Sequence, residues 1–144
     1  MHTRLHEACT RRWAEEMGIG PQAAEALARA DAEVDIAHFP RSPYHMRPVL
    51  LLGRDRRGPA AAHHLQQARR AAAAGDCAEA LRHLGYGLHA LQDQASHGGW
   101  WLLGIHWGPW LDRPGPRRLA AVEQASKEYL RTARADEVLR RCLA

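Results

Sequence analysis

The sequence predicts an all-α protein, folded as one compact single-domain bundle of about five helices. Alanine supplies 27 of the 144 residues, whereas Val, Ile and Thr together supply only 10. Strands need β-branched and aromatic side chains to cover a pleated surface, and the chain contains a single Phe. The composition therefore disfavours an all-β fold and a doubly wound α/β fold.

The length and the balance of apolar and charged residues indicate one folded domain that covers residues 1–144. The chain is 46% hydrophobic and 25% charged, which is typical of a globular protein and not of a disordered one. No apolar run approaches the roughly 20 residues of a membrane-spanning helix, and the first residues lack the apolar segment of a secretory signal. We therefore expect a cytoplasmic protein without a transmembrane segment, or one exported by a route that needs no such signal.

The cysteines and the charge are weaker guides to function. Cys9, Cys77 and Cys142 are odd in number and show no CxxC spacing, so we expect buried, reduced thiols and no disulfide. The net charge of +4 favours a polyanionic partner such as nucleic acid or phospholipid headgroups. Because nearly all of the basic residues are Arg, the bias is equally typical of a GC-rich genome. The ten histidines are more informative.

Two helices are predicted in the N-terminal part of the chain. The first runs over about residues 3–17 and is followed by two glycines, which favour helix C-termini. Pro21 suits the first turn of a second helix, and residues 22–36 are rich in alanine, with apolar side chains at helical spacing. Residues 37–58 are rich in proline and lack periodicity. A long irregular segment of this kind in a small domain is usually functional.

Three further helices are predicted in the rest of the chain. The third covers residues 59–74. Asp76, with a Glu three residues later, forms a capping box, so a fourth helix spans about residues 76–96. Its apolar stripe has the i, i+3, i+7, i+10 spacing of a helix that packs in the interior, and consists of Leu81, Leu84, Leu88 and Leu91. The last helix runs from 117 to about 143, after an irregular, tryptophan-rich segment at 100–116.

The fourth helix carries the residues with the clearest chemistry. His89, Asp93 and His97 are spaced i, i+4, i+8, which places them in one stripe on adjacent turns. Two imidazoles and a carboxylate in such a stripe can bind a divalent metal ion. A His–Asp pair alone is more often a surface ion pair. The third residue at the same period and the leucine stripe favour the metal site, because buried Asp and His are rare unless they are paired or metal-bound.

One helix cannot surround a metal ion, so further ligands must come from other segments that meet at one end of the bundle. The candidates are His6 in the first helix, Asp31 and Asp35 in the second, His38 and His45 in the first irregular segment, and His106 in the second irregular segment. Asp31 and Asp35 are equally compatible with plain carboxylates on a helix surface. His63, His64 and His83 lie on faces rich in Ala or Arg and are interpreted as surface or packing residues.

Residues 84–100 read LGYGLHALQDQASHGGW. This resembles the motif LGxxLHxxQDxxxHxxW of the zinc-dependent phospholipase C and S1/P1 nuclease superfamily. In the same order along the chain, HEACT at 6–10 resembles the family's first-helix motif, and ADAEVD at 30–35 resembles its second-helix motif. The YHM at 44–46 is similar to a loop motif of the family, and segment 106–114 is similar to its H…lDxP segment. The resemblance is colinear along most of the chain.

The resemblance implies an all-α hydrolase with one to three zinc ions, two being the number that we expect. The implied ligands are Asp35, His45, His89 and Asp93 for one ion, His97 and His106 for a second, and His6 for a third. Asp35 or Asp93 would also act in catalysis, by orienting the attacking water as a general base. The family usually places a glutamate four residues after the loop histidine, where this chain has Trp110. The second zinc therefore has fewer protein ligands than in the family.

Three interpretations follow from these residues. The first is a zinc-dependent phosphodiesterase that acts on phospholipid or nucleic acid through metal-activated water. Arg47, Trp100 and Trp107 are then candidates for substrate binding, and Arg57 is either a further phosphate-binding residue or a solvated charge of the loop. The second is a catalytically inactive, metal-stabilised helical binding module. The third is a plain helical bundle whose histidines cluster by chance, and it predicts no bound metal.

Overall fold

The computed structural model describes residues 3–37, 55–97 and 114–144, apart from the side chain of His97. These residues form six α-helices and one short 3-10 helix and contain no strand, so the all-α prediction is confirmed. In chain order the helices are α1 (Thr3–Glu16), α2 (Pro21–Ala37), α3 (Arg57–Ala73), α4 (Cys77–His97), α5 (Pro116–Ala135) and α6 (Glu137–Arg140), followed by the 3-10 turn Arg141–Leu143. None of the helices in these ranges is both long enough and apolar enough to cross a membrane.

α4 is the central helix of the bundle. It packs against α2, α3 and α5, and Leu84 and Leu88 of its apolar stripe are fully buried. Its start is set by Asp76, whose Oδ1 accepts a hydrogen bond from the backbone N–H of Glu79 at 3.0 Å, as the capping box predicts. A side chain on α4 can therefore meet side chains from several other helices.

Gly85 lets α2 approach α4 closely. A Cβ atom at this position would lie 2.5 Å from the Cβ of Ala30 and 2.8 Å from the carbonyl oxygen of Leu27. Cβ atoms in proteins essentially never come so near to another atom. Asp31 follows Ala30 on α2, and His89 lies about one turn after Gly85 on α4. The close contact between the two helices therefore brings Asp31 and His89 together.

The C-terminal helix is broken, so the prediction of one continuous helix over 117–143 is wrong. α5 ends at Ala135, and Asp136 has an extended backbone (φ −79°, ψ 120°). Its carboxylate accepts hydrogen bonds from backbone N–H groups in the first turn of α6 and from Arg69 Nε at 2.6 Å. Asp136 is thus the N-cap of a new helix. The change of direction at Asp136 buries Leu139 in the main hydrophobic core. A helix that continued straight would not place Leu139 there.

Cys77 and Cys142 form a disulfide, so the prediction of reduced thiols is wrong for this pair. Cys77 is the first residue of α4, and Cys142 lies in the 3-10 turn, 65 positions later. The break at Asp136 returns the end of the chain to α4, which the spacing of the cysteines does not reveal. Cys9 is a free, buried thiol, as predicted. Disulfides are typical of oxidising compartments, and the cytoplasmic location stays a prediction.

We expect Gly85→Ala to destabilise the fold. Alanine has the higher helix propensity by about 1 kcal/mol, but overpacking costs about 1–3 kcal/mol. Three atoms of α2 lie within 3.0 Å of the added Cβ, so we expect the cost to prevail, with a net loss of up to about 2 kcal/mol. Urea denaturation measures this change. In the control Gly58→Ala, also within a helix, the new Cβ meets only the end of the Gln94 side chain, at 3.6 Å, and the free energy of unfolding should not fall. A Gly85→Ala variant as stable as the wild type would contradict the close packing.

Reduction of the Cys77–Cys142 disulfide should lower the free energy of unfolding by about 2–4 kcal/mol, because the cross-link restricts the unfolded chain. The measurement is urea denaturation with and without a reductant. The double variant Cys77→Ser/Cys142→Ser should match the reduced wild type, and the control Cys9→Ser should keep the response to reductant. A wild-type protein that does not respond to the reductant would show that the bond is absent.

Candidate metal centre

Three helices contribute one ionisable side chain each to a buried cluster. His6 lies on α1, Asp31 on α2 and His89 on α4, and all three residues are 0% exposed. One ligand atom from each side chain lies within 4.8 Å of those of the other two. Polar and charged groups are stable in a protein interior only when they are hydrogen-bonded, paired or bound to a metal ion. Together these three residues can hold a metal ion.

The Asp31 carboxylate contacts both imidazoles. Its Oδ1 lies 3.2 Å from His6 Nδ1 and 3.1 Å from His89 Nδ1. The backbone carbonyl oxygen of Asp31 lies 2.9 Å from the same nitrogen of His89. The second carboxylate oxygen, Oδ2, accepts a hydrogen bond from the Thr10 hydroxyl. One side chain therefore orients both rings through their Nδ1 atoms.

Gln92 and Thr10 complete the hydrogen bonding around His6. Gln92 Oε1 accepts a hydrogen bond from His6 Nδ1 at 2.7 Å, and Gln92 Nε2 donates one to Thr10 Oγ1 at 2.6 Å. Both residues are buried. Because the amide oxygen of Gln92 can only accept, Nδ1 of His6 carries a proton. Nε2 of His6 is then the nitrogen that can bind a metal ion.

The Nε2 atoms of the two rings face a pair of carboxylates. His6 Nε2 lies 3.3 Å from Asp93 Oδ1, and His89 Nε2 lies 3.6 Å from both Asp93 Oδ2 and Asp35 Oδ1. The two rings stack with their centroids 4.2 Å apart and their planes 23° from parallel. His6 Nε2 is buried, and its contact with Asp93 does not have hydrogen-bond geometry. Asp93 thus lies beside the Nε2 atoms of both rings, and Asp35 lies beside that of His89.

The buried cluster contains a strongly coupled acid and base. Burial by itself lowers the pKa of His6, but the carboxylates of Asp31 and Asp93 outweigh it and raise this pKa from 6.5 to about 10. Burial by itself raises the pKa of Asp31, but His6 and His89 outweigh it and hold this pKa well below its usual range. Without a metal ion, His6 is therefore a protonated imidazole paired with the Asp31 carboxylate.

Arg57 fixes the start of α3 against α4 beside the cluster. Its guanidinium donates to both carboxylate oxygens of Asp55, at 3.0 and 2.8 Å, and to the backbone carbonyl of Asp93 at 2.8 Å. The side chain is buried, so its interpretation as a solvated charge of the loop is wrong. Arg57 instead supports the turn of α4 that carries Asp93.

The structure brings together four of the ligands that the family resemblance implies, which are His6, Asp35, His89 and Asp93, and places the further candidate Asp31 against His6 and His89. His89 and Asp93 share one buried face of α4, as their spacing predicts. The role of the four residues in binding metal, and that of Asp35 and Asp93 in catalysis, stay predictions.

Sequence reasoning underrated Asp31 and missed Thr10 and Gln92. The residues alone left both Asp31 and Asp35 of the second helix as candidate ligands. The family resemblance then selected Asp35 and not Asp31. The helical spacing of Thr10 and Gln92 from the candidate ligands could have identified both residues as part of the site. Thr10 lies four residues after His6 and Gln92 three residues after His89, so each shares a face with a candidate ligand.

The remaining predicted site residues lie outside the described part of the structure. They are the ligand candidates His38, His45 and His106, the side chain of His97, which is the last residue of α4, and the substrate-binding candidates Arg47, Trp100 and Trp107.

We expect the free energy of unfolding of the metal-free protein to fall as the pH rises from about 6.5 to 8.5. The pKa of His6 is raised from 6.5 to about 10, so its contribution to stability is complete below pH 6.5 and is lost toward pH 10, by up to about 1.4 kcal/mol per pH unit. Asp31 contributes in the opposite sense, because its pKa is lowered, and its contribution is lost only on acidification. Urea denaturation of chelator-treated protein measures this slope. In His6→Gln the slope should be flatter, and equal slopes would contradict the raised pKa.

Comparisons of the chain with protein-family models, curated proteins and solved structures find no match. The resemblance of the α4 motif to the zinc-dependent phospholipase C and S1/P1 nuclease superfamily therefore stays a prediction. The candidate metal centre depends on its own geometry.

Proposed function

We propose that the protein is a zinc-dependent phosphodiesterase that hydrolyses phospholipid or nucleic-acid phosphodiesters with metal-activated water. The observation that carries this proposal is the Asp93 carboxylate, which lies 3.3 Å from His6 Nε2 and 3.6 Å from His89 Nε2, with Asp35 a further 3.6 Å neighbour of His89 Nε2. A mixture of imidazole and carboxylate ligands favours zinc over calcium and magnesium, which prefer oxygen ligands. The net charge of +4 suits a polyanionic substrate.

The separations of these atoms support an ion on the Nε2 side of the two rings. Ligand atoms about 2.0–2.1 Å from zinc lie about 3.3–3.4 Å from one another at the tetrahedral angle. The Nε2–oxygen distances in the cluster are 3.3 and 3.6 Å. His6, His89 and Asp93 are the proposed ligands. Asp31 then lies behind both imidazoles, where it accepts the Nδ1–H of His89 and contacts Nδ1 of His6, whose proton is donated to Gln92. This is the usual place of a carboxylate that orients metal-bound histidines.

Asp35 is the proposed general base. A zinc ion held by these residues would polarise a phosphoryl oxygen of the substrate and lower the pKa of a water molecule. The side chain of Asp35 is 17% exposed, against 6% for Asp93 and 0% for both imidazoles, so Asp35 lies where the cluster meets solvent. Its carboxylate can orient the attacking water and accept its proton. The buried Asp31 keeps the two rings in place from the other side.

The complete burial of His6, Asp31 and His89 favours a second candidate, the catalytically inactive, metal-stabilised binding module. Structural zinc sites have four protein ligands, whereas catalytic sites keep one position for water. The two candidates therefore differ in the role of Asp35. In the structural site it is the fourth ligand, and in the catalytic site it stands beside the water.

We expect at least one zinc ion per chain in protein purified without a metal-affinity tag, measured by mass spectrometry. Asp31→Asn should weaken zinc binding by about 10–100-fold, because it removes the group that orients both ligands, and Asp93→Asn should weaken it further. Glu33→Gln is the matched control, because it removes an exposed carboxylate from the same helix as Asp31. A wild-type protein that binds no zinc would contradict the proposal and support a bundle whose histidines cluster by chance.

We expect the zinc-loaded protein to hydrolyse bis(p-nitrophenyl) phosphate, a general phosphodiester probe. Asp35→Asn should lower kcat by about 10²–10⁴-fold, with unchanged zinc content and circular dichroism. Phosphatidylcholine vesicles and single-stranded DNA then distinguish lipid from nucleic-acid substrates. Loss of zinc from Asp35→Asn would identify a fourth ligand and favour the structural candidate. No turnover of any of the three substrates would overturn the enzymatic proposal.

A further inference from the structure

A second pair of histidines joins α3 and α4 outside the metal centre. The Nδ1 atoms of His64, on α3, and His83, on α4, are 2.9 Å apart. Their rings are tilted by 35°, with the centroids 5.2 Å apart. His83 precedes His89 by about 9 Å along the axis of α4. His64 is buried and is a packing residue, as one of the two sequence interpretations expected, whereas the neighbouring His63 is exposed.

The contact between the two nitrogens requires one proton between them, since each can donate or accept but not both. His83 Nε2 lies 3.2 Å from Glu79 Oε1, and a carboxylate at this position favours a proton on Nε2. Nδ1 of His83 then accepts, and Nδ1 of His64 donates. Burial lowers the pKa of His83, and the charge of Arg82 adds to this against the opposing charge of Glu79. The His83 ring is therefore neutral near pH 7, the state in which imidazole binds metals.

We propose that His64 and His83 form a second metal site, which takes Cu2+ through their Nδ1 atoms. With metal–nitrogen bonds of about 2.0–2.1 Å, two nitrogens lie about 2.9 Å apart at a right angle and about 3.3–3.4 Å apart at the tetrahedral angle. The observed separation of 2.9 Å matches the right angle of square-planar Cu2+. The site does not depend on the proposed phosphodiesterase activity.

The surroundings of the pair support a metal site. Glu79 stands behind His83 as the carboxylate that orients a metal-bound imidazole. Tyr86 contacts the His64 ring edge-to-face, with the centroids 5.6 Å apart. The side chain of His83 is 19% exposed, so an ion can enter and water can complete its coordination. On binding, His64 changes tautomer, with its proton on Nε2 in place of Nδ1, so that both ligand nitrogens are unprotonated and no proton is released overall.

Titration of the zinc-saturated protein with Cu2+, with zinc kept in excess so that it occupies the His6–His89 centre, followed by electron paramagnetic resonance, tests this proposal. The wild type should bind a Cu2+ ion whose spectrum shows coupling to two imidazole nitrogens. His83→Gln should weaken this binding at least tenfold, and Glu79→Gln should weaken it by about tenfold. His63→Gln is the matched control, because it removes an exposed imidazole beside His64 and should bind as the wild type does. Asp93→Asn should keep the Cu2+ signal while it loses zinc, which separates the two sites.

Unchanged Cu2+ binding in His83→Gln would overturn the proposal, as would an equal loss in His63→Gln or the loss of the signal in Asp93→Asn. The contact between His64 and His83 would then be only a hydrogen bond that joins α3 and α4. Circular dichroism checks that His83→Gln folds. If it does not fold, Glu79→Gln decides, because this side chain is partly exposed and contacts His83 only at the outer nitrogen, Nε2.

Discussion

The buried carboxylate of Asp31 is the interaction on which the metal centre depends. It contacts Nδ1 of His6 and Nδ1 of His89, so one side chain of α2 connects α1 with α4. A buried charge is costly unless it is paired and hydrogen-bonded, and the two rings and the Thr10 hydroxyl meet this requirement. Because both Nδ1 atoms are turned toward Asp31, both Nε2 atoms face Asp93. The direction of the potential ligands thus follows from one buried charge.

Small residues make this arrangement possible. Gly85 allows the backbone of α2 to lie against α4, where a Cβ would meet Ala30. Gly87 leaves room for the Tyr129 side chain of α5, because a Cβ at position 87 would collide with the Tyr129 hydroxyl oxygen. α4 is therefore closely packed on more than one side, and its polar residues have little freedom to turn away from their partners. The small side chains of this alanine-rich sequence therefore also set how closely the helices approach one another.

The two histidine pairs, His6–His89 and His64–His83, differ in how a carboxylate contacts them. This difference decides which kind of metal ion each pair suits. His89 and His6 share a carboxylate, so the metal-free cluster holds a proton on His6 that a metal ion must displace. His83 and His64 contact each other directly, and the Glu79 carboxylate lies on the outer nitrogen of His83. The first arrangement suits an ion with mixed imidazole and carboxylate ligands, and the second suits an ion that prefers nitrogen.

Local sequence determined the helices, the cap at Asp76 and the shared face of His89 and Asp93, because each depends on residues within about one turn of one another. The tertiary structure alone decided that Asp31 meets His89, 58 positions away, and that Cys77 pairs with Cys142. Whether the carboxylate at position 31 or at position 35 lies between the rings depends on how closely and at what rotation α2 packs on α4. The break at Asp136 likewise follows from burying Leu139 in the core. Such distances between remote segments are set by packing and not by the period of a single helix.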